Sequence, residues 1–233
     1  VIINTLWIGS ELPLLQRMCA ASWVAHGHQL HLWTYQDLAG IPAGVSVEDA
    51  NEVFCCPIQR YTDENHRGSP VLHANLFRYR FLRDRGGAFV DADTLCLAAF
   101  DFGDRECVFS SENNDAHPNL AFVFVRDHGT DFARRLDAEA SARLGMPFWG
   151  HFGPKLLKLA IAEFRLTSHV LPPHVFCPIK WNETPQLFQA EPPALDGSLG
   201  IHLFQQVLTQ SGRDLTAASP ATSLWEKWKR EFT

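Results

Sequence analysis

Between Leu72 and Asp93 the chain lays out a helix, a stop, a buried strand and a pair of acids in one unbroken run. Leu72, Leu76, Tyr79 and Leu82 recur at intervals of 4, 3 and 3, which puts them on a single helical stripe. Gly86-Gly87 follows, and glycine accepts the left-handed dihedrals with which helices end. Ala88-Phe89-Val90 then reads as a short buried strand that passes directly into Asp91-Ala92-Asp93. A helix folded straight back into a buried strand belongs to a layered α/β domain.

The rest of the chain agrees with that class. Ile2 to Ile8 reads as a strand ending at Gly9-Ser10; a helix with Leu15, Cys19, Ser22 and Trp23 on one side follows and stops at Gly27. Leu30 to Thr34 completes a β-α-β opening with parallel strands. Asp37 to Ser69 is polar and interrupted by Gly and Pro, so loops and short helices are expected there. Val108–Ser111 and Leu120–Val125 read as further strands; the second is wholly apolar and therefore belongs inside the sheet. Helical stripes return at Phe132, Leu136 and Ala140, and at Leu157, Ile161 and Phe164 behind Gly153-Pro154. The prolines between Leu171 and Pro193 predict irregular backbone. Ser223 caps a terminal segment that sets Leu224, Trp225, Trp228 and Phe232 against Lys227, Lys229 and Arg230. That segment reads as a packing helix, with a peripheral membrane association as the alternative.

The length of 233 residues is expected to form one domain over 1–233, with a first half at 1–125 and a more helical part at 126–233. With 20 basic and 26 acidic residues the formal charge is 20 − 26 = −6. An acidic chain lacks the clustered cations that nucleic acid requires, so no nucleic-acid partner is expected. The six cysteines contain no C-x-x-C pair and are read mostly as small buried residues. No apolar run approaches the length of a membrane span, and no leader pattern is visible. A cytoplasmic setting is therefore expected, with the Golgi or ER lumen as the alternative if an N-terminal anchor precedes Val1.

A strand that ends in D-x-D at the carboxyl edge of an α/β sheet sets two carboxylates on one side of the chain, where such folds bind ligands. Two acids so close in apolar surroundings repel each other unless a cation lies between them. Hard oxygen donors favour Mn²⁺ or Mg²⁺ over Zn²⁺. Such an ion could tie Asp91 and Asp93 to a diphosphate and neutralise charge on a leaving group. Asn75 and Arg78, at i and i+3, share one face of the preceding helix.

This run resembles the D-x-D sugar-binding region of the retaining glycosyltransferases of family 32. The family pattern is matched at Ala74, Arg78, Tyr79, Gly86, Gly87, Asp91 and Asp93; it is departed from at Asn75, where the family has Asp, and at Phe89, where Tyr is usual. Further matches run in family order from Leu6-Trp7-Ile8-Gly9 through Trp23, Asn119, Gly153-Pro154 and Phe176-Cys177-Pro178-Ile179 to Ile201-His202-Leu203-Phe204. The resemblance implies a GT-A-like fold, a mixed and mostly parallel sheet with helices on both faces, with 1–125 as the nucleotide-sugar-binding half and 126–233 as the acceptor-side and C-terminal helical part. It implies a donor site of Trp7 stacked on the base, with Ile8, Gly9, Asn75, Arg78, Asp91 and Ala92. Asp93 is the implied direct metal ligand, Asp91 touches metal, ribose or bound water, and His202 completes the Mn²⁺ (or Mg²⁺) shell. The implied catalytic set is Asp91, Asp93 and Arg78. Asn119, Trp149, His151 and Trp181 are candidates for the acceptor side.

The activity so implied is metal-dependent transfer of a sugar, with retained anomeric configuration, from a nucleoside diphosphate sugar, in first place a UDP-sugar, to a hydroxyl-bearing glycan or other acceptor. No general base stands out, so the leaving phosphate oxygen is expected to take the acceptor proton. Two alternatives carry different chemistry: a catalytically silent nucleotide-sugar-binding domain, and a metal-dependent nucleotidyltransferase or phosphohydrolase. The motif itself names neither the sugar, nor the acceptor, nor the number of subunits.

Overall fold

The computed structural model describes residues 1–64, 66–113, 117–144 and 151–233. Strand β1 (Ile2–Trp7) is followed by helix α1 (Leu14–Ala25) and strand β2 (Gln29–Thr34), and the two strands pair in parallel as expected. Strand β3 (Ser46–Asp49) adds a further parallel edge inside the stretch expected to be loop. Its sequence, Ser-Val-Glu-Asp, is largely exposed and has no apolar face to announce it.

Helix α2 (Val71–Asp84) and strand β4 (Gly87–Val90) carry out the turn-back seen in the sequence. Gly86 adopts φ +67°, and its N–H closes on the Leu82 carbonyl at 3.1 Å. A Cβ there would stand 2.8 Å from the Arg126 carbonyl oxygen, so this crossing needs glycine both for its dihedral and for the close approach. Strand β5 (Thr94–Cys96) follows at once; β6 (Cys107–Glu112) and β7 (His117–Val125) then form a hairpin. The chain continues through α3 (Asp131–Ala142) and α4 (Pro154–Glu163), strand β8 (Gly200–His202), the short α5 (Gln205–Gln210) and α6 (Leu224–Phe232). The proline-bearing stretch between α4 and β8 holds only short 3₁₀ turns.

The main sheet has the order β3-β2-β1-β4-β7-β6, with three parallel pairings followed by two antiparallel ones. As the sequence predicts, β7 lies inside it, and eight of its nine residues are buried. One apolar cluster joins this sheet to α2, α3 and α4; a second joins it to Leu12, Ala20 and Trp23 in and beside α1. A third cluster packs Trp225, Trp228 and Phe232 of α6 against Leu15, Met18 and Cys19 of α1. The apolar face of α6 is therefore used inside the protein, and Ser223 caps it as expected, accepting from the Glu226 N–H. Among the described residues no helix is long and apolar enough to cross a membrane. All six cysteines are free, and Cys19, Cys96, Cys107 and Cys177 are buried.

A second sheet consists of β5 and β8 alone, antiparallel, and it draws one strand from each half of the chain. The parallel strands place the site. Going outward from β1, the chain reaches β2 on one side and β4 on the other, and ligands of open α/β sheets bind at such a reversal, beyond the carboxyl ends of the strands.

Candidate functional site

Asp91-Ala92-Asp93 begins where β4 stops, at that edge. The strand does not run through it. The Thr94 N–H closes a turn on the Asp91 carbonyl at 2.9 Å, so strand alternation is not what brings the two acids together. The tight turn does so, and it is held from several directions. The Asp91 N–H reaches the Ala121 carbonyl of β7 at 3.3 Å, and the Thr94 hydroxyl donates to the same oxygen at 3.1 Å. The Trp23 indole of α1 donates to the Thr94 carbonyl at 2.9 Å. The Leu203 N–H donates to the Asp93 carbonyl at 2.9 Å.

The β5–β8 ladder sets His202 opposite Thr94, and this pairing carries the imidazole to the turn. His202 Nε2 lies 3.2 Å from Asp93 Oδ1 and 3.7 Å from Asp91 Oδ2. One ligand atom from each of the three residues falls within 4.8 Å of the others. Burial alone would raise the Asp93 pKa, but the His202 charge and hydrogen bond, with the Gln205 N–H, bring it below the usual carboxylate range. Burial would likewise lower His202, yet Asp93, Cys177 and Asp91 hold it well above the ordinary imidazole value. Two carboxylates and one imidazole converging on a shared point are a donor set that could hold a divalent cation.

Arg78 comes from α2 and is 1% exposed. Its Nη2 donates to Asp91 Oδ1, and its guanidinium lies over the Phe89 ring at 5.0 Å. Its Nε and Nη1 are buried without a hydrogen-bond partner. A buried cation with spare donors beside paired acids has capacity left for an anion. Asn75 is also buried, one turn earlier on the same helix, and it hydrogen-bonds Tyr61, whose phenol burial pushes up to about 12.

Beyond His202 the chain makes an unusual bend. Phe204 takes left-handed backbone, φ 50° and ψ 56°, which costs a bulky residue about 1–2 kcal/mol. Its ring sits 4.2 Å from that of His202. The bend aims the next amide at the site, and Gln205 N donates to Asp93 Oδ2 at 2.7 Å. Gln16 of α1, 1% exposed, braces Gln205 through a 2.6 Å amide-to-amide hydrogen bond. Nothing in a lone Phe-Gln pair announces this role; the nearest sequence signal is its position just after Ile201-His202.

The remaining candidates are spread more widely. Trp7 closes β1 half-buried and donates its indole N–H to the Glu11 carbonyl at 2.8 Å; Ile8 and Gly9 follow it at the same sheet edge. Asn119, a candidate for the acceptor side, is 2% exposed and engages its amide with Ser110 and Cys177. A polar residue that opens an apolar strand looks the same in sequence whether it faces a substrate or an interior partner. His151 is exposed in the turn before α4, and Trp181, 52% exposed, opens a 3₁₀ turn four residues past Cys177. Trp149 lies outside the described residues.

No protein-family model and no curated protein matches this sequence. Similarity appears among solved structures. The PaToxG glycosyltransferase aligns with a TM-score of 0.52 at 12% identity, over 99% of this chain and 84% of that one. The apo form of the glycosyltransferase GlyE from Streptococcus pneumoniae TIGR4 aligns with a TM-score of 0.51 at 12% identity, over 97% of this chain and 59% of that one. At this identity the likeness is one of fold, and the fold is the GT-A type expected from the sequence.

Proposed function

We propose that this chain is a metal-dependent, retaining glycosyltransferase that moves a sugar from a nucleoside diphosphate sugar, a UDP-sugar in our reading, to a hydroxyl of a glycan or polysaccharide acceptor. The observation that carries this reading is the meeting of Asp91, Asp93 and His202 at the reversal point of the sheet, with the buried Arg78 beside them. The glycosyltransferase fold of the neighbours supports it.

Asp91, Asp93 and His202 are the residues that would hold Mn²⁺ or Mg²⁺. Bound there, the cation would neutralise charge on the departing diphosphate. Arg78 offers its Nε and Nη1 donors to the same anion, and as a preorganised buried charge it needs no reorganisation during the reaction. Trp7, Ile8, Gly9 and Ala92 form the donor side, with Asn75 toward the sugar, while Trp149 and His151 are assigned to the acceptor side. We assign no protein base. The acceptor proton passes to the leaving phosphate oxygen on the same face of the sugar, which accounts for retention of configuration.

The test is incubation with a panel of UDP-sugars and Mn²⁺, reading free nucleotide and, by NMR, the anomeric configuration of the product. Metal-dependent UDP release with a retained product is the expected result. UMP in place of UDP would assign the protein to nucleotidyl or phosphohydrolase chemistry. An inverted product would remove the same-face proton transfer. Binding of UDP with no turnover on any donor would make the chain a silent nucleotide-sugar-binding domain.

A further inference from the structure

The imidazole of His202 has two nitrogens, and only Nε2 faces Asp91 and Asp93. The other, Nδ1, is buried and makes no hydrogen bond of ordinary geometry. A buried ring nitrogen left this way is costly, and a histidine that ligates a metal generally gives its second ring N–H to a fixed partner that sets its orientation.

A side chain near this strand, Cys177, is held in place from β6 and β7 of the main sheet. Ser110 of β6 accepts the Phe122 N–H at 2.9 Å and donates its hydroxyl to Asn119 Oδ1. Asn119 Oδ1 also receives the Ala121 N–H at 3.3 Å. With its oxygen so engaged, the Asn119 amide can point only its nitrogen outward, and Nδ2 donates to Cys177 Sγ at 3.1 Å. Cys177 is itself pinned, its N–H donating to the Pro173 carbonyl at 2.7 Å. The strand bearing His202 is laid alongside, since the His202 N–H donates to the Phe176 carbonyl at 2.9 Å. Cys177, 3% exposed, is thus fixed directly after the residue whose carbonyl pairs with the His202 backbone.

We infer that Cys177, oriented by Asn119, is the positioning residue of His202: its sulfur accepts the Nδ1–H and so turns the Nε2 lone pair toward the point shared by Asp91 and Asp93. The hydrogen-bonding contribution of Cys177 to the raised His202 pKa agrees with this placement. The chain Ser110–Asn119–Cys177–His202 thereby couples the β6–β7 hairpin to the candidate metal site. The thiol neither touches substrate nor reacts; it acts through the imidazole. The inference deepens the proposed function and rests on it for the identity of the cation, but not for the hydrogen bond itself.

Two readouts separate the two claims. In the metal-free protein, NMR should show a slowly exchanging imidazole Nδ1–H, assigned to His202 by its loss in His202→Gln and told from the Nε2–H by its ring ¹⁵N–¹H correlations. That resonance should vanish in Cys177→Val and Cys177→Ala, both checked for folding by circular dichroism, and persist in Cys177→Ser, which retains an acceptor. Mn²⁺ affinity, measured by calorimetry, should fall about tenfold to a hundredfold in the Val and Ala variants, the range seen for lost second partners of metal ligands, and serine should restore much of it. A wild type that binds Mn²⁺ no better than Cys177→Val overturns the inference and leaves the proposed function standing. A wild type that binds no Mn²⁺ overturns the cofactor reading, and the N–H resonance then decides this inference alone. Absence of that resonance in wild type, or its survival in both Val and Ala variants, overturns it.

Discussion

The backbone amide of Gln205 donates to the Asp93 carboxylate at 2.7 Å, joining the first turn of α5 to an acid 112 positions earlier in the chain. The bond uses Oδ2 of Asp93 and leaves Oδ1 to His202. Asp93 is therefore aimed by the backbone, and a side chain of the same shape should stay aimed. We expect Asp93→Asn to keep the fold and the Gln205 hydrogen bond. Losing the ligand charge should weaken Mn²⁺ binding by at least about a hundredfold, more than the loss of an outer partner costs. Calorimetry on the two proteins checks this, and equal affinity would remove Asp93 from the cation site.

Phe204 makes that geometry and bears its strain. Replacing it with alanine deletes a buried ring and should cost about 3–4 kcal/mol. Glycine removes the same ring, yet it accepts φ 50° freely. Phe204→Gly should therefore be more stable than Phe204→Ala by about 1 kcal/mol, the reverse of the usual order. Urea unfolding of the pair reads the difference directly. Alanine proving the more stable would show that the left-handed bend holds no strain.

The two glycines behind α2 should respond differently to alanine. Both have positive φ, but a Cβ on Gly86 would press on the Arg126 carbonyl and the His128 N–H at 2.8 and 2.9 Å, while one on Gly87 meets nothing within 4 Å. Gly87→Ala should cost about 1–2 kcal/mol for the dihedral alone. Gly86→Ala adds a backbone clash and should cost roughly 2–5 kcal/mol. Thermal unfolding at one pH should order the three proteins accordingly.

His73 gives the stability a pH dependence away from the site. It is fully buried beneath the loop at Phe54; Nδ1 accepts the Gln59 N–H at 3.1 Å, and Nε2 donates to the Tyr35 hydroxyl, itself a donor to the Phe54 carbonyl. Burial first, then Arg60, lowers its pKa from 6.5 to about 4. As the pH falls below 6.5 the unfolded chain binds a proton that the folded protein refuses, so the folded state loses ground. This contribution is complete above pH 6.5 and is lost on the way down to pH 4, by at most about 3 kcal/mol. The stability advantage of wild type over His73→Gln should shrink across that interval, as read by unfolding at a series of pH values. A constant advantage would mean that His73 titrates alike in both states.

The elements with a strong period were legible from the sequence. The stripe on α2, the glycine stop and the apolar β4 and β7 came through with only their ends displaced. The three-residue strands β5 and β8 and the exposed β3 did not, because each is too short or too polar to display a period. They exist because neighbouring backbone pairs with them. The pairing of β5 with β8 matters most for the site, since it delivers His202.

What the chain's order of residues determined alone was the layered α/β class, the helix–glycine–strand return and the presence of paired acids at a strand end, all of which follow from local periodicity and backbone preference. Only the tertiary structure decided that the acids meet in a turn, that His202 faces them, that Phe204 is bent to aim Gln205, and that Asn119 turns inward to Cys177. These contacts join residues tens of positions apart, and hydrogen bonds at that separation depend on how the layers pack, which no local pattern records.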